Sequence, residues 1–251
     1  MRTTILQTDI VWADPKSNTA HADTWIDENP GSDLYVFPEM FTTGFATHPT
    51  GISESEEGAS LSWMKRKSAK TGAAICGSMS VQTKEGKYVN RFYFVKPDGS
   101  VTYYDKHHLF TYGGEDKCYE AGESHVVVEW RGVRIMLLVC YDLRFPIWSR
   151  NRNDYYDMII YVASWPTSRI EAWRTLLKAR AIENQCYVAG VNRVGSDPNC
   201  QYCGCSAIIS PYGTVMEECP QDEASAASAD IDMESLDTFR KKFPVLNDRD
   251  F

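Results

Sequence analysis

Val133-Arg134-Ile135-Met136-Leu137-Leu138-Val139-Cys140 is an apolar run, marked by one arginine near its start, that ends on a thiol. Its length suits a buried strand better than a helix, which needs ten or more residues. Arg131-Gly132 joins it to a second run, Val126 to Trp130, as a hairpin. Further strands are expected at Thr3 to Thr8, Leu34 to Phe37, Ala73 to Val81, Val89 to Val95, Val101 to Tyr104, Ile159 to Ala163 and Tyr187 to Val191. Pro97-Asp98-Gly99 marks one tight turn. Pro211-Tyr212-Gly213 marks another, between Ala207 to Ile209 and Thr214 to Met216.

Helix signals fall between these strands. Asp14 can cap a helix whose first turn holds Pro15 and which stops before Pro30. A second helix is expected near Ser60 to Thr71. Ser168-Arg169-Ile170-Glu171 fits a capping box, in which each end satisfies a backbone donor of the other. Behind it, Ile170, Trp173, Leu177 and Ala181 recur at helical spacing. A short terminal helix surrounds Leu236 to Lys242. Strands alternating with helices, interrupted by hairpins, indicate a layered α/β protein with a mixed sheet.

No linker divides the 251 residues, so residues 1–251 are read as one domain. With 43% hydrophobic residues, a chain of this size buries roughly 70% of its unfolded surface and needs neither metal nor disulfide to fold. A formal charge of −8, with Lys and Arg scattered among acids, leaves no basic stripe for nucleic acid. A small anionic substrate is still compatible, because one carboxylate needs only a local cation. No apolar stretch approaches membrane-spanning length, and Met1 to Trp12 is too polar for a signal-peptide core. The expectation is a cytoplasmic, reducing location in which the eight cysteines are mostly free thiols.

Three potentially reactive side chains sit at strand ends. Glu39 follows Pro38, which closes the run Leu34 to Phe37; Lys106 lies two residues past Tyr104; Cys140 ends the run Val133 to Val139. Amide cleavage needs a nucleophile, a proton shuttle and a positive or hydrogen-bonding site for the nascent oxyanion. Cys, Glu and Lys can supply these in turn. A free thiol is only a few per cent ionised at neutral pH, so a nearby base such as Glu39 or a cation such as Lys106 is needed to raise its reactivity. Singly, each also fits a plainer part: Cys140 as a small buried hydrophobe, Glu39 as a solvated loop acid, Lys106 as a surface cation beside Asp105.

Other readings are weaker on the same residues. Cys200, Cys203 and Cys205 suggest a zinc-binding interaction module, but no fourth ligand or second Cys-x-x-Cys pair lies nearby. His107-His108 invites a Cys-His hydrolase, yet adjacent residues on an extended segment face opposite ways, so at most one could meet Cys140. Serine-hydrolase, metalloprotease, phosphate-loop and dinucleotide fingerprints are absent from the sequence.

Three stretches, Phe37-Pro38-Glu39-Met40-Phe41, Tyr104-Asp105-Lys106-His107-His108-Leu109-Phe110 and Val139-Cys140-Tyr141-Asp142-Leu143-Arg144-Phe145-Pro146, resemble the Glu-Lys-Cys motifs of the nitrilase superfamily, in that family's order. The likeness extends from the first strand to about Gly213. Cys140-Tyr141-Asp142 looks like the amidase form of the nucleophile motif, whereas nitrilases typically follow the cysteine with Trp and Glu. Arg150-Asn151-Arg152-Asn153-Asp154, Trp165-Pro166 and Ala179-Arg180-Ala181-Ile182-Glu183-Asn184-Gln185 are similar to the omega-amidase branch, which hydrolyses terminal amides of 2-oxoglutaramate and related 2-oxo acids.

The resemblance implies an α-β-β-α sandwich of the nitrilase type with mixed sheets, able to form four layers across a homodimer. It implies catalysis by Glu39, Lys106 and Cys140, with the oxyanion on Lys106 and the backbone N–H of Tyr141, and no metal or organic cofactor. A second carboxylate that orients the lysine is matched by Glu115, with Glu120 and Glu123 as alternatives. Arg144 is the candidate partner for a substrate carboxylate, against an internal ion pair with Asp142 or another acid. Phe45 and Trp165 are candidate pocket walls. N-carbamoyl amino acids and nitriles are the nearest alternative substrates.

Overall fold

The computed structural model describes residues 1–152 and 155–249. Its elements run β1 (Arg2–Gln7), α1 (Pro15–Glu28), β2 (Leu34–Val36), β3 (Glu54–Ser55), α2 (Ala59–Thr71), β4 (Ala74–Gln82), β5 (Tyr88–Val95) and β6 (Val101–Asp105). The second half continues β7 (Val127–Trp130), β8 (Val133–Val139), β9 (Met158–Ala163), α3 (Ile170–Asn184), β10 (Tyr187–Asn192), β11 (Val194–Ser196), β12 (Gln201–Cys203), β13 (Ala207–Ile209), β14 (Val215–Glu218), β15 (Ser225–Asp230) and α4 (Met233–Lys242).

Two mixed sheets result. One has the order β15-β1-β2-β4-β5-β6, with β3 also on β4, and the other β14-β13-β10-β9-β8-β7. Strands β1, β2 and β4 are mutually parallel, as are β8, β9 and β10, while the hairpin partners at the flanks run antiparallel. Alternation along the strands sorts the first sheet's side chains onto two faces. Ile5, Leu34, Val36, Cys76, Phe92 and Phe94 face the second sheet and, through it, Trp173 and Leu177 of α3. Their neighbours Leu6, Tyr35, Ile75, Tyr93 and Val95 pack instead against Ala22 and Ile26 of α1 and Leu61 and Met64 of α2. Helix, sheet, sheet, helix is the layer order the resemblance implied.

The sequence signals hold locally because their chemistry is local. Asp14 accepts a hydrogen bond from the Ser17 N–H at 3.0 Å, with Pro15 in the first turn of α1. The predicted capping box at Ser168 does not form, however. A 3-10 turn over Thr167–Arg169 precedes the helix, so Ser168 lies within that turn and Arg169 takes the cap position with no side-chain hydrogen bond. Strand β6 extends through Asp105, which puts Lys106 directly at its end. Of the segment Arg150 to Asp154, Asn153 and Asp154 lie outside the described residues. No helix among the described residues is long and apolar enough to cross a membrane.

Candidate active site

Carboxyl ends of parallel strands are where α/β sheets open crevices, and here both sheets contribute. Glu39 follows β2 of the first sheet; Cys140 follows β8 and Ser164 follows β9 of the second. The seam is stitched directly, since Glu39 Oε2 accepts from the Ser164 N–H at 2.8 Å and the Glu39 N–H donates to the Ala163 carbonyl at 3.4 Å. Cys140 and, after the first sheet's β2, Met40 both adopt left-handed backbone angles, φ +45° and +46°. Each costs about 1 kcal/mol or more for a residue with a Cβ, a cost the surrounding packing must outweigh.

Lys106, Glu39 and Glu115 are fully buried. Lys106 Nζ donates to Glu39 Oε1 at 2.9 Å and to Glu115 Oε2 at 2.8 Å and Oε1 at 3.1 Å. Glu115 is thus the second carboxylate at the lysine; Glu120 instead pairs with Lys87 on the surface, and Glu123 is exposed. Asn90 Nδ2 bridges the two carboxylates, at 2.8 Å from Glu39 Oε1 and 3.1 Å from Glu115 Oε1. The Phe110 N–H donates to Glu115 Oε2 at 2.6 Å. Burial alone would depress the lysine, but the charges of Glu115 and Glu39 outweigh it and hold Lys106 well above its ordinary range. Burial pushes Glu115 up, against the opposing pull of Lys106.

Backbone fastenings fix this cluster. The Lys106 N–H donates to the Asn90 carbonyl, and the Gly122 N–H donates to the Lys106 carbonyl at 3.0 Å. A Cβ on Gly122 would stand 2.1 Å from the Asp105 carbonyl oxygen, so only glycine lets the loop after Glu115 lie so close to the end of β6.

Cys140 is half-buried, with its thiol pushed well above the usual cysteine range by burial first and by the Glu39 carboxylate second; Lys106 pulls the other way. It starts a 3-10 turn, Cys140–Arg144, whose first N–H groups have no partner within the turn. Asp142 holds that turn. Its carboxylate accepts from the Val139 N–H at 3.0 Å, the Tyr104 hydroxyl at 2.8 Å and the His108 N–H at 2.9 Å, and also lies 2.8 Å from His108 Nδ1. The expected alternative of an Arg144–Asp142 ion pair is therefore not formed. His107 turns away to the Gly122 carbonyl and stacks on Trp148.

A cavity of about 340 Å³ opens over Cys140, lined also by Glu39, Tyr141, Arg144 and Ser164. Phe45 and Trp165 both face it. The Phe45 ring centroid is 5.2 Å from Lys106 Nζ, and the Arg144 guanidinium stands 4.9 Å from the Trp165 ring centroid. Cys200 lines the same cavity, whereas Cys203 and Cys205 are buried. Among the described residues no group of three His, Cys, Asp or Glu side chains is placed to hold a metal. Asn90 and Ser164 escaped the sequence reading, as did the cavity residues Arg169, Asp197 and Tyr202.

A thiol at the strand ends of one sheet, facing a carboxylate from the other that holds a buried lysine, is a set suited to nucleophilic attack on a carbonyl carbon. The chain belongs to the carbon-nitrogen hydrolase family, whose pattern matches residues 2–241. It is 47% identical to Omega-amidase YafV of Escherichia coli K12, covering all of this chain and 97% of that protein. It is 36% identical to 2-oxoglutaramate amidase of Bacillus subtilis 168, over 97% and 95% of the two chains. Its fold is similar to that of XC1258 from Xanthomonas campestris, a CN-hydrolase superfamily protein with an arsenic adduct in its active site. There the TM-score is 0.97 and the identity 40%, over all of this chain and 97% of that one.

Proposed function

We propose that this protein is an omega-amidase that hydrolyses the terminal amide of a small 2-oxo acid amide, 2-oxoglutaramate or 2-oxosuccinamate, to the 2-oxo dicarboxylate and ammonia. The observation that carries the reading is the buried Lys106 ammonium shared by Glu39 and Glu115, with Glu39 and the Cys140 thiol lining one cavity. Similarity to proteins named Omega-amidase and 2-oxoglutaramate amidase supports the substrate class.

Because the thiol is held protonated, Glu39 takes its proton as Sγ attacks the amide carbon. The carbonyl electrons move onto oxygen, where Lys106 and the Tyr141 N–H receive the oxyanion. Glu39 returns the proton to the amide nitrogen, the C–N bond breaks, and ammonia leaves a thioester on Cys140. Glu39 then deprotonates water, whose oxygen attacks the thioester; the C–S bond breaks and the thiol is restored. Glu115 keeps Lys106 aimed, and Arg144 receives the substrate carboxylate between walls formed by Phe45 and Trp165. No cofactor takes part in this scheme.

The test is ammonia release from a panel of 2-oxo acid amides, N-carbamoyl amino acids and nitriles, with Cys140→Ala as control. The expected result is preference for a 2-oxo acid amide and no turnover by the variant. Preference for a carbamoyl compound or nitrile overturns the substrate assignment.

The chain is further proposed to act as a single carbon-nitrogen hydrolase domain, in a reducing cytoplasmic setting consistent with its eight free cysteines, and as a homodimer that extends its layers. Sedimentation equilibrium should return about twice the mass of one chain. A monomer at assay concentration rejects the dimer.

A further inference from the structure

Charges in the substrate cavity are not balanced within the protein. The Glu39 carboxylate is taken by Lys106, Asn90 and the Ser164 N–H. Asp197 also lines the cavity, and its oxygens accept from the N–H groups of Asn199 and Cys200, each at 2.7 Å, and from the Tyr202 hydroxyl at 2.6 Å. The cavity's two guanidiniums, Arg144 and Arg169, stand apart from this pattern: among the described residues neither forms an ion pair or donates a side-chain hydrogen bond to the protein. Each is steadied by an aromatic face instead. Arg144 lies 4.9 Å from the Trp165 ring centroid and Arg169 lies 5.3 Å from that of Phe110.

The two are held in one wall. Trp165 Nε1 donates to the Arg169 carbonyl at 2.8 Å, so the indole that carries Arg144 also ties down the residue bearing the second guanidinium. Phe110, beneath Arg169, donates its backbone N–H to Glu115 and packs edge-on against Tyr141 at 5.2 Å. Cation-π contact leaves the N–H edges of a guanidinium free for hydrogen bonding. A 2-oxo carboxylate presents three oxygens, two on the carboxylate and one on the adjacent carbonyl, more than one guanidinium fork can engage.

We propose that Arg169 is a second substrate-binding residue, which together with Arg144 clamps the 2-oxo carboxylate end of the substrate. This inference rests on the omega-amidase reading for its ligand. It assigns a selective task to Arg169: favouring anionic over uncharged amides of equal length.

Two measurements test it. With active protein, the ratio of kcat/KM for 2-oxoglutaramate to that for an uncharged aliphatic amide of the same length should fall about 30-fold in Arg169→Gln, most of it in KM. That is the scale of a charge-assisted hydrogen-bonded contact. Arg169→Lys should recover part of the ratio, since it keeps charge but loses the fork. Independently of turnover, calorimetry on Cys140→Ala protein should detect binding of 2-oxoglutarate, weakened about 30-fold when Arg169→Gln is added. An unchanged ratio with unchanged binding overturns the inference, and so does absence of any 2-oxoglutarate binding to Cys140→Ala. Should the active protein leave 2-oxo acid amides intact while binding of the anion still depends on Arg169, the amidase reading fails and the clamp stands.

Discussion

Lys106→Met should lower kcat by about 10³-fold, on the scale of removing a preorganised oxyanion donor, and should make stability fall more steeply with rising pH than it does in the parent protein. In the parent, one buried ammonium faces Glu39 and Glu115 at 2.9 and 2.8 Å. Removing one partner of a buried ionic cluster costs about 3–5 kcal/mol, because the charge left behind cannot be rehydrated. Here two carboxylates are left, sharing only the Asn90 amide between them. Burial already raises Glu115, and the lysine is what opposes that rise. Without it the folded-state pKa climbs further above the unfolded value. For such a group the folded form binds more protons, so its stability is fully present below the unfolded pKa of about 4.3 and is lost as pH rises through the folded value. The deficit in thermal midpoint of Lys106→Met relative to the parent should therefore shrink from pH 8 toward pH 5. A deficit that stays constant over that range, or a kcat loss below tenfold, would sink the assignment of Lys106 as the charge that opposes the upward shift of Glu115.

How much of this was readable in the chain follows from which signals are local. Cys140, Glu39 and Lys106 end or follow apolar runs, and strand ends are visible as the place where periodicity stops. What gathers them is tertiary: Glu39 and Ser164 are 125 residues apart yet share a 2.8 Å hydrogen bond. Asn90 did leave a trace, a polar residue on the face of β5 that otherwise carries Phe92 and Phe94, and it is fully buried. A buried amide on an aromatic face needs partners, and that argument could have marked it. Strand β15 left none. Its Ser-Ala-Ala-Ser-Ala-Asp sequence has low strand propensity, and its extended form is imposed by antiparallel pairing with β1, Arg2 opposite Asp230 through Gln7 opposite Ser225. Arg169 was hidden by a plausible local role, since a capping box accounts for Ser168 to Glu171 until the 3-10 turn displaces it. Glu115 was the preferred match for the second carboxylate, but Glu120 and Glu123 in the same polar loop stayed open as alternatives, and only chain path separates the acid at Lys106 from the one at Lys87.

Glu39→Gln should separate two properties of Cys140 that a purely structural role for Glu39 would move together. Turnover of the amide should fall by about 10³-fold, within the range for loss of a general base, because no group remains to take the thiol proton and later activate water. Reactivity of the same thiol toward a small alkylating agent should instead increase at pH 7. The Glu39 carboxylate is one of the causes holding Cys140 well above its usual range, while Lys106 opposes it. The substitution removes the repulsive charge and leaves the ammonium with one fewer carboxylate, so both changes favour the thiolate, the species that alkylates. Pseudo-first-order rates of iodoacetamide labelling at Cys140, followed by mass spectrometry from pH 6 to 9, should show the variant's profile displaced to lower pH. The carboxamide has one acceptor oxygen where the carboxylate had two, so it can serve either Lys106 and Asn90 or the Ser164 N–H, and a thermal midpoint measured alongside separates that local loss from the change in thiol reactivity. If labelling and turnover drop together, Glu39 acts by shaping the pocket and the proton must travel by another route.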